Sequence, residues 1–197
     1  ITVSDPRDPF NWYGRTKLLG EQAIETYAED AFPAHLYLKS NLYGEHTING
    51  QRVSKGTVIN FFVNRALNGE PLTVYEPGTQ SRNYIHVDDV ARAYVHSTEQ
   101  LLDQLATGET GVKKYEIASD EDPGVHTVAD RVQQLTADER GTHIDVELVE
   151  NPRADEETLV DTFTVDTTSA HTDLGWSPSH SITESIRGLL REESDDS

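Results

Sequence analysis

Neither cysteine nor methionine occurs in these 197 residues, which excludes disulfides and thiolate metal sites. No apolar run approaches the roughly 20 residues that cross a bilayer, and no signal-like segment is visible, so neither a membrane nor secretion is expected. The histidines show no His-x-x-x-His or comparable ligand spacing on a helix, and no metal is expected. Positive charge is scarce: 16 Lys and Arg stand against 35 Asp and Glu, a formal net charge of −19 that repels nucleic-acid phosphates. The 13 glycines never fall into Gly-x-Gly-x-x-Gly or Gly-x-x-Gly-x-x-Gly. A glycine-rich turn that cradles a dinucleotide pyrophosphate at a helix amino terminus is therefore missing.

The acid that is present is dispersed along the chain rather than gathered in one tail, and arginines (eleven) outnumber lysines (five). Dispersed carboxylates keep a protein hydrated while concentrated salt screens their mutual repulsion, so a salt-adapted cytoplasmic protein is expected. Ordered hydrophobic patterns over most of the length argue against disorder.

Those patterns alternate between helix and strand without internal repeats. Residues 11–31 read as a helix, and 35–41, with Leu36 and Leu38 alternating against polar neighbours, as a strand. A polar loop is expected over 44–56. Val58, Phe61, Phe62 and Ala66 make an amphipathic helix over 57–68 closed by Gly69, and Leu72–Tyr75 make a strand. Pro77-Gly78 turns the chain into 83–87. His86 ahead of Asp88 and Asp89 reads as a strand end entering an Asp-capped helix that runs to about Leu105. Strands are expected at 115–118, 144–149 and 162–165. Thr127 with Asp130 resembles a capping box for a helix through Leu135, Ser181 with Glu184 does the same for the last helix, and a short helix from Thr167 stops at Gly175 and Pro178. Alternation of this kind implies an α/β fold.

The chemistry concentrates in Asn11-Trp12-Tyr13-Gly14-Arg15-Thr16-Lys17-Leu18-Leu19-Gly20-Glu21. Four residues apart on a helix, Tyr13 and Lys17 lie one turn above each other, so the ammonium can stabilise phenolate charge and the pair can move a proton. This string resembles the active-site helix of the extended short-chain dehydrogenase/reductase family, which includes the nucleotide-sugar epimerases and dehydratases. Three further blocks resemble the same family in the same order: 38–44 (Leu-Lys-Ser-Asn-Leu-Tyr-Gly), 71–91 from Pro71 to Ala91, and 166–178 from Asp166 to Pro178.

The resemblance implies the carboxy-terminal part of a Rossmann-type NAD domain interleaved with a smaller α/β substrate-binding domain. On that reading 1–43 and 83–120 belong to the cofactor domain, 44–82 and 121–192 to the substrate domain, and 193–197 is an acidic tail. Only twelve residues precede Tyr13, leaving no room for an upstream half on the order of 100 residues, so a piece of a longer protein is expected, inactive alone. The implied cofactor is NAD or NADP, the implied substrate a nucleotide-diphosphate sugar, and the implied assembly a homodimer. Tyr13 and Lys17 are the implied catalytic pair; with Lys39 they also bind the cofactor. Asn41, Val58, Tyr75, Arg82 and Arg153 are the implied substrate contacts, with the two guanidinium forks suited to diphosphate oxygens.

Two departures are visible. Leu38 stands where family members commonly carry arginine, and Arg82-Asn83 stands where they often have Arg-Asp. Epimerase, dehydratase, decarboxylase and ketoreductase activities share the Tyr-Lys device, so reduction of a keto-sugar or small carbonyl remains an alternative. A non-catalytic cofactor-sensing or interaction module on the same fold is another.

Overall fold

The computed structural model describes residues 2, 4–9, 11–152, 160 and 162–192. Fourteen elements follow in the order α1 (Trp12–Ala28), β1 (Pro33–Lys39), β2 (Asn41–Tyr43), β3 (Glu45–Ile48), β4 (Gln51–Ser54), α2 (Val58–Leu67), β5 (Leu72–Tyr75), β6 (Tyr84–His86), α3 (Val87–Thr107), β7 (Gly111–Ile117), α4 (Val125–Arg140), β8 (Val146–Val149), α5 (Thr168–Leu174) and α6 (Ile182–Glu192). The α/β class is as the sequence implies.

The chain parts into two compact units. The first comprises the residues up to Lys39, Val90–Ala118 and Val165–Ser177; the second comprises Ser40–Asp89, Ser119–Thr164 and the residues from Pro178 onward. This division differs from 1–43 with 83–120 against 44–82 with 121–192. Residues 165–177 group with the first unit because α5 packs on β7, where the Ser169 hydroxyl donates to the buried Glu116 carboxylate at 2.9 Å. The short β2–β6 ladder groups with the second unit because Tyr43 and Tyr84 enter its core.

In the first unit β1 and β7 pair in parallel, from Pro33 opposite Gly111 to Lys39 opposite Ile117. Helix α1 begins where Asn11 accepts a hydrogen bond from the Gly14 amide at 2.9 Å, satisfying one of the orphan donors of the first turn. The sheet face carrying His35, Tyr37 and Tyr115 forms an edge-to-face ring cluster, with His35 and Tyr115 centroids 5.0 Å apart and Tyr94 of α3 4.9 Å from Tyr37. Burial pushes the Tyr115 phenol up and the His35 imidazole down from their ordinary ranges. Trp176, just past α5, is fully buried, and Arg92 donates to the Ser177 carbonyl at 2.9 Å.

The second unit holds the main apolar core. Ile59, Phe62, Val63 and Ala66 of α2, Val128, Ala129, Val132 and Leu135 of α4, and Ile182, Ile186 and Leu190 of α6 pack around Leu72 and Val74 of β5. The i, i+4, i+8 stripe of α6 alone removes three large side chains from water, an upper estimate of roughly 5–9 kcal/mol. β5 pairs in parallel with β8. Glu139 of α4 accepts from Arg187 at 2.9 Å and from Arg191 at 2.7 Å, closing α4 against α6.

Three local expectations are corrected. Residues 44–56 are no loop: β3 and β4 form an antiparallel hairpin around Asn49 and Gly50, both at positive φ (52° and 78°), the geometry of a tight two-residue turn. Helix α4 starts at Val125 with Gly124 as its cap, so Thr127 lies inside the first turn and makes no capping box; Asp130 instead faces His126 at 3.0 Å. No strand forms over 162–165, because the Phe163 amide and the Thr164 hydroxyl bond the Asp122 carboxylate rather than a ladder. The acidic tail, 193–197, lies outside the described residues. No described helix is long and apolar enough to cross a membrane.

Candidate active site

Tyr13 and Lys17 stand one turn apart on α1, as their spacing requires, with the Lys17 ammonium 5.4 Å from the centre of the Tyr13 ring. The contact is made to the ring face, where the negative quadrupole holds a cation. Tyr13 is 71% exposed, since α1 turns this stripe outward. Lys39 ends β1, where its ammonium donates to the Tyr94 hydroxyl at 3.3 Å and lies 5.5 Å above the Tyr94 ring. These three residues line one cleft of about 560 Å³, together with Arg7, Gly14 and Glu21 among others. A Cβ at Gly14 would press on the Pro9 side chain at 3.1 Å, so Gly14 lets the preceding segment pack closely on α1. The cleft thus gathers the phenols of Tyr13 and Tyr37, three cations (Arg7, Lys17, Lys39) and the carboxylates of Asp8 and Glu21, a lining far less negative than the chain as a whole.

The other candidate residues belong to the second unit. Asn41 opens β2, and both its backbone and side-chain amides donate to the Asn83 carbonyl, at 3.2 and 3.0 Å. Arg82 precedes Asn83; its backbone amide donates to the Pro123 carbonyl at 3.2 Å and its guanidinium to the Ser81 carbonyl at 2.8 Å. Asn41 is therefore tied to the segment that carries Arg82. Val58 and Tyr75 stand at the start of α2 and the end of β5, 37% and 42% exposed. Arg153 lies outside the described residues.

Two supporting arrangements were not foreseen from the sequence. Buried Asn83 donates through Nδ2 to the Ser119 carbonyl at 2.7 Å and accepts through Oδ1 from the Ser119 amide at 3.2 Å. An amide matches this donor-and-acceptor peptide on both atoms; a carboxylate, which only accepts, does not. The Arg-Asn pair is thereby explained. Asn60 clamps Gly44 in the same manner, at 2.9 and 2.8 Å.

A histidine cluster lies nearby in the second unit. Fully buried Asp89 accepts from the Ser179 amide and hydroxyl and from the His180 amide, and faces His180 Nδ1 at 2.9 Å. His46 Nδ1 lies 3.1 Å from Asp88. Burial lowers the His86 pKa from its ordinary value, and His180 adds to that, against the pull of Asp88 and Asp89. Ligand atoms of His86, Asp88 and His180 lie within 4.8 Å of one another, a spacing on which a metal ion can be considered. The two imidazoles, however, are stacked nearly parallel, 14° apart with centroids at 4.1 Å. In-plane lone pairs of parallel rings do not converge on one ion, and the Asp88 amide already donates to His86 Nδ1 at 3.2 Å.

Residues 1–111 match the family described as the NAD dependent epimerase/dehydratase family. Among curated relatives, the UDP-N-acetyl-alpha-D-glucosaminuronate decarboxylase of Bacillus cytotoxicus is 30% identical over 124 residues, which take in 63% of this chain and 35% of that protein. The UDP-glucose 4-epimerase of Corynebacterium glutamicum is 26% identical over 196 residues, 94% of this chain and 55% of that protein. The chain accordingly spans well under two thirds of the length of either relative. Among solved structures, MoeE5 in complex with UDP-glucose and NAD superposes with a TM-score of 0.75 at 24% identity, covering all of this chain and 60% of the other. The UDP-glucuronic acid 4-epimerase of Bacillus cereus, in complex with UDP-glucuronic acid and NAD, gives a TM-score of 0.74 at 18% identity over 57% of its length. Likeness at these identities establishes the Rossmann-type fold.

Proposed function

This chain belongs to the NAD dependent epimerase/dehydratase family, and we propose that it supplies the proton-transfer pair and the sugar-nucleotide contacts of an NAD(P)-dependent nucleotide-sugar epimerase or dehydratase. The observation that carries the proposal is the convergence of Tyr13, Lys17 and Lys39 on one cleft. That cleft fits the ribose and nicotinamide end of the cofactor, offering a phenol and ammonium donors; the 197 residues hold no glycine-rich cradle for its pyrophosphate.

When bound, the nicotinamide supplies hydride acceptance and return. The Tyr13 phenolate takes the hydroxyl proton of the sugar, and the phenol gives it back in the reverse direction. Lys17 stabilises the phenolate charge and would also help hold the cofactor ribose, so one cation would serve both tasks. Lys39 adds a second cation to the cofactor side. Asn41 orients the sugar, Val58 and Tyr75 flank the nucleotide, and Arg82 with Arg153 holds the diphosphate through charge-assisted bonds. Exposed Trp12, Leu19 and Tyr27 on α1 and Val95, Leu102 and Leu105 on α3 support a homodimer. Without a pyrophosphate cradle the 197 residues alone are expected to be inactive.

Joined to a glycine-rich dinucleotide domain, the protein should lose most turnover on Tyr13→Phe while keeping its affinity for NAD, since only the hydroxyl is removed. Near-normal turnover in that variant rejects the assigned role. Substrate class is tested by binding: UDP-glucose should bind far more tightly than glucose, Arg82→Ala should weaken the former roughly tenfold or more, and Arg82→Lys should recover only part. Equal affinity for free and nucleotide-linked sugar points to small carbonyl substrates instead.

A further inference from the structure

Helix α1 carries a third charged group on the stripe that bears the proposed catalytic pair. Tyr13, Lys17 and Glu21 recur at intervals of four, and all three line the same cleft. A carboxylate one turn beyond a lysine can pair with it, less well than in the reverse order, and so competes for an ammonium that an exposed ring face holds only weakly. Which contact Lys17 makes therefore depends on whether the Glu21 carboxylate is already engaged.

It is engaged, and from outside the helix. Lys114 of β7 places its ammonium 2.7 Å from Glu21 Oε1 and 2.5 Å from Glu25 Oε1. Arg7, in the segment before α1, brings its Nε to 3.8 Å from the same Glu21 oxygen. Lys114 sits opposite Leu36 in the parallel β1–β7 ladder, so its backbone is fixed by the sheet. Glu21 is only 17% exposed at its side chain, and this partial burial leaves little water to compete for its oxygens. Although burial opposes the charge of Lys114, hydrogen bonds to Glu21 and Glu25 raise its pKa above the ordinary lysine value. The cation is thus fully charged at neutral pH.

We infer that Lys114, assisted by Arg7, sequesters Glu21 and thereby keeps the Lys17 ammonium on Tyr13, which makes Lys114 a positioning residue for the proton-transfer pair. Its catalytic meaning rests on the function proposed above; the geometric part does not.

The test uses the 197-residue chain and needs no cofactor. A lysine held over a tyrosine ring shows upfield-shifted side-chain methylene protons in its NMR spectrum, and Tyr13→Leu identifies that shift by abolishing it for Lys17. Lys114→Met should reduce the Lys17 shift by roughly half or more, as Lys17 turns to Glu21. Adding Glu21→Gln to Lys114→Met should restore it, and Lys114→Arg should preserve it. Arg7→Met, outside the sheet, should produce a smaller loss in the same direction and serves where Lys114→Met disturbs β7. An unchanged Lys17 shift in both Lys114→Met and Arg7→Met, or no recovery in the double variant, overturns the inference. Normal turnover in Tyr13→Phe would instead remove the catalytic reading and leave the NMR result standing.

Discussion

Replacing Asn83 by aspartate restores the residue common in the family yet should destabilise this protein. The Nδ2 donor to the Ser119 carbonyl, at 2.7 Å, becomes a carboxylate oxygen aimed at another oxygen in a site 1% exposed. One hydrogen bond is lost and a buried acceptor is left facing negative charge, together about 2–4 kcal/mol at neutral pH. The new carboxyl escapes by staying protonated, which lets it donate to the same carbonyl, so its folded-state pKa should rise above the unfolded value of about 3.9. A raised folded pKa means the deficit is smallest below that unfolded value and grows as pH rises through the folded one. Urea unfolding of Asn83→Asp beside the wild type, in about 2 M KCl and from about pH 5 to about pH 8, measures it. With a slope of about 2 kcal/mol per molar, the midpoint should drop by roughly 1–2 M at the upper end and less at the lower. Asn83→Ala loses both bonds without adding charge, so its deficit should not vary with pH. An Asn83→Asp protein as stable as the wild type at about pH 8, or with a pH-independent deficit, refutes the reasoning.

Burial raises the phenols of Tyr43 and Tyr84 to about 12, so ionising either in the folded state costs about 3 kcal/mol. The stability this carries is complete below about pH 10 and disappears as pH rises through about 12. Absorbance titration should show these two, and Tyr115 with them, ionising late and together with loss of circular dichroism, Tyr84→Phe shifting that loss upward; all eight tyrosines ionising reversibly near pH 10 contradicts it. With a net charge of −19, surface repulsion reaches about 10 Å at 0.1 M salt and about 3 Å at 1 M. Melting temperature should consequently rise from about 0.1 M to about 3 M KCl, and a flat or falling series sinks the salt-adapted reading. Calorimetric titration of the 197 residues with NAD should show weak binding, and micromolar affinity would count against the missing-cradle argument.

Local chemistry was legible wherever neighbours in sequence decide the outcome. β5 is legible at its observed bounds, Leu72–Tyr75, where Pro71 and the Pro77-Gly78 turn bracket four strand-forming residues. That Tyr13 and Lys17 come within reach of each other follows from i, i+4 geometry. The β3–β4 hairpin is hidden because Glu45, His46 and Thr47 give no apolar alternation, although Asn49-Gly50 carries the turn signal. Thr127 and Asp130 match a capping spacing, yet the helix is capped three residues earlier by Gly124, which is extended and bridged to Ser81. What no local rule reaches are partners far apart in the chain: Asn83 with Ser119, Asp89 with His180, Glu21 with Lys114. These tertiary pairings decide which polar residues are structural and which face a cleft.

The last helix has a consequence for how the protein is made. Its four apolar side chains complete a core whose first contributor, Tyr43, leaves the ribosome about 140 residues earlier. Until α6 emerges from the exit tunnel, the faces of α2 and α4 that it covers stay wet, and the nascent second unit offers them to any apolar surface it meets. Closure by contacts so distant in sequence is slow. The chain should therefore depend on holdase chaperones during synthesis, and a ribosome stall before Ile182 should yield a species that aggregates rather than a half-folded intermediate that waits.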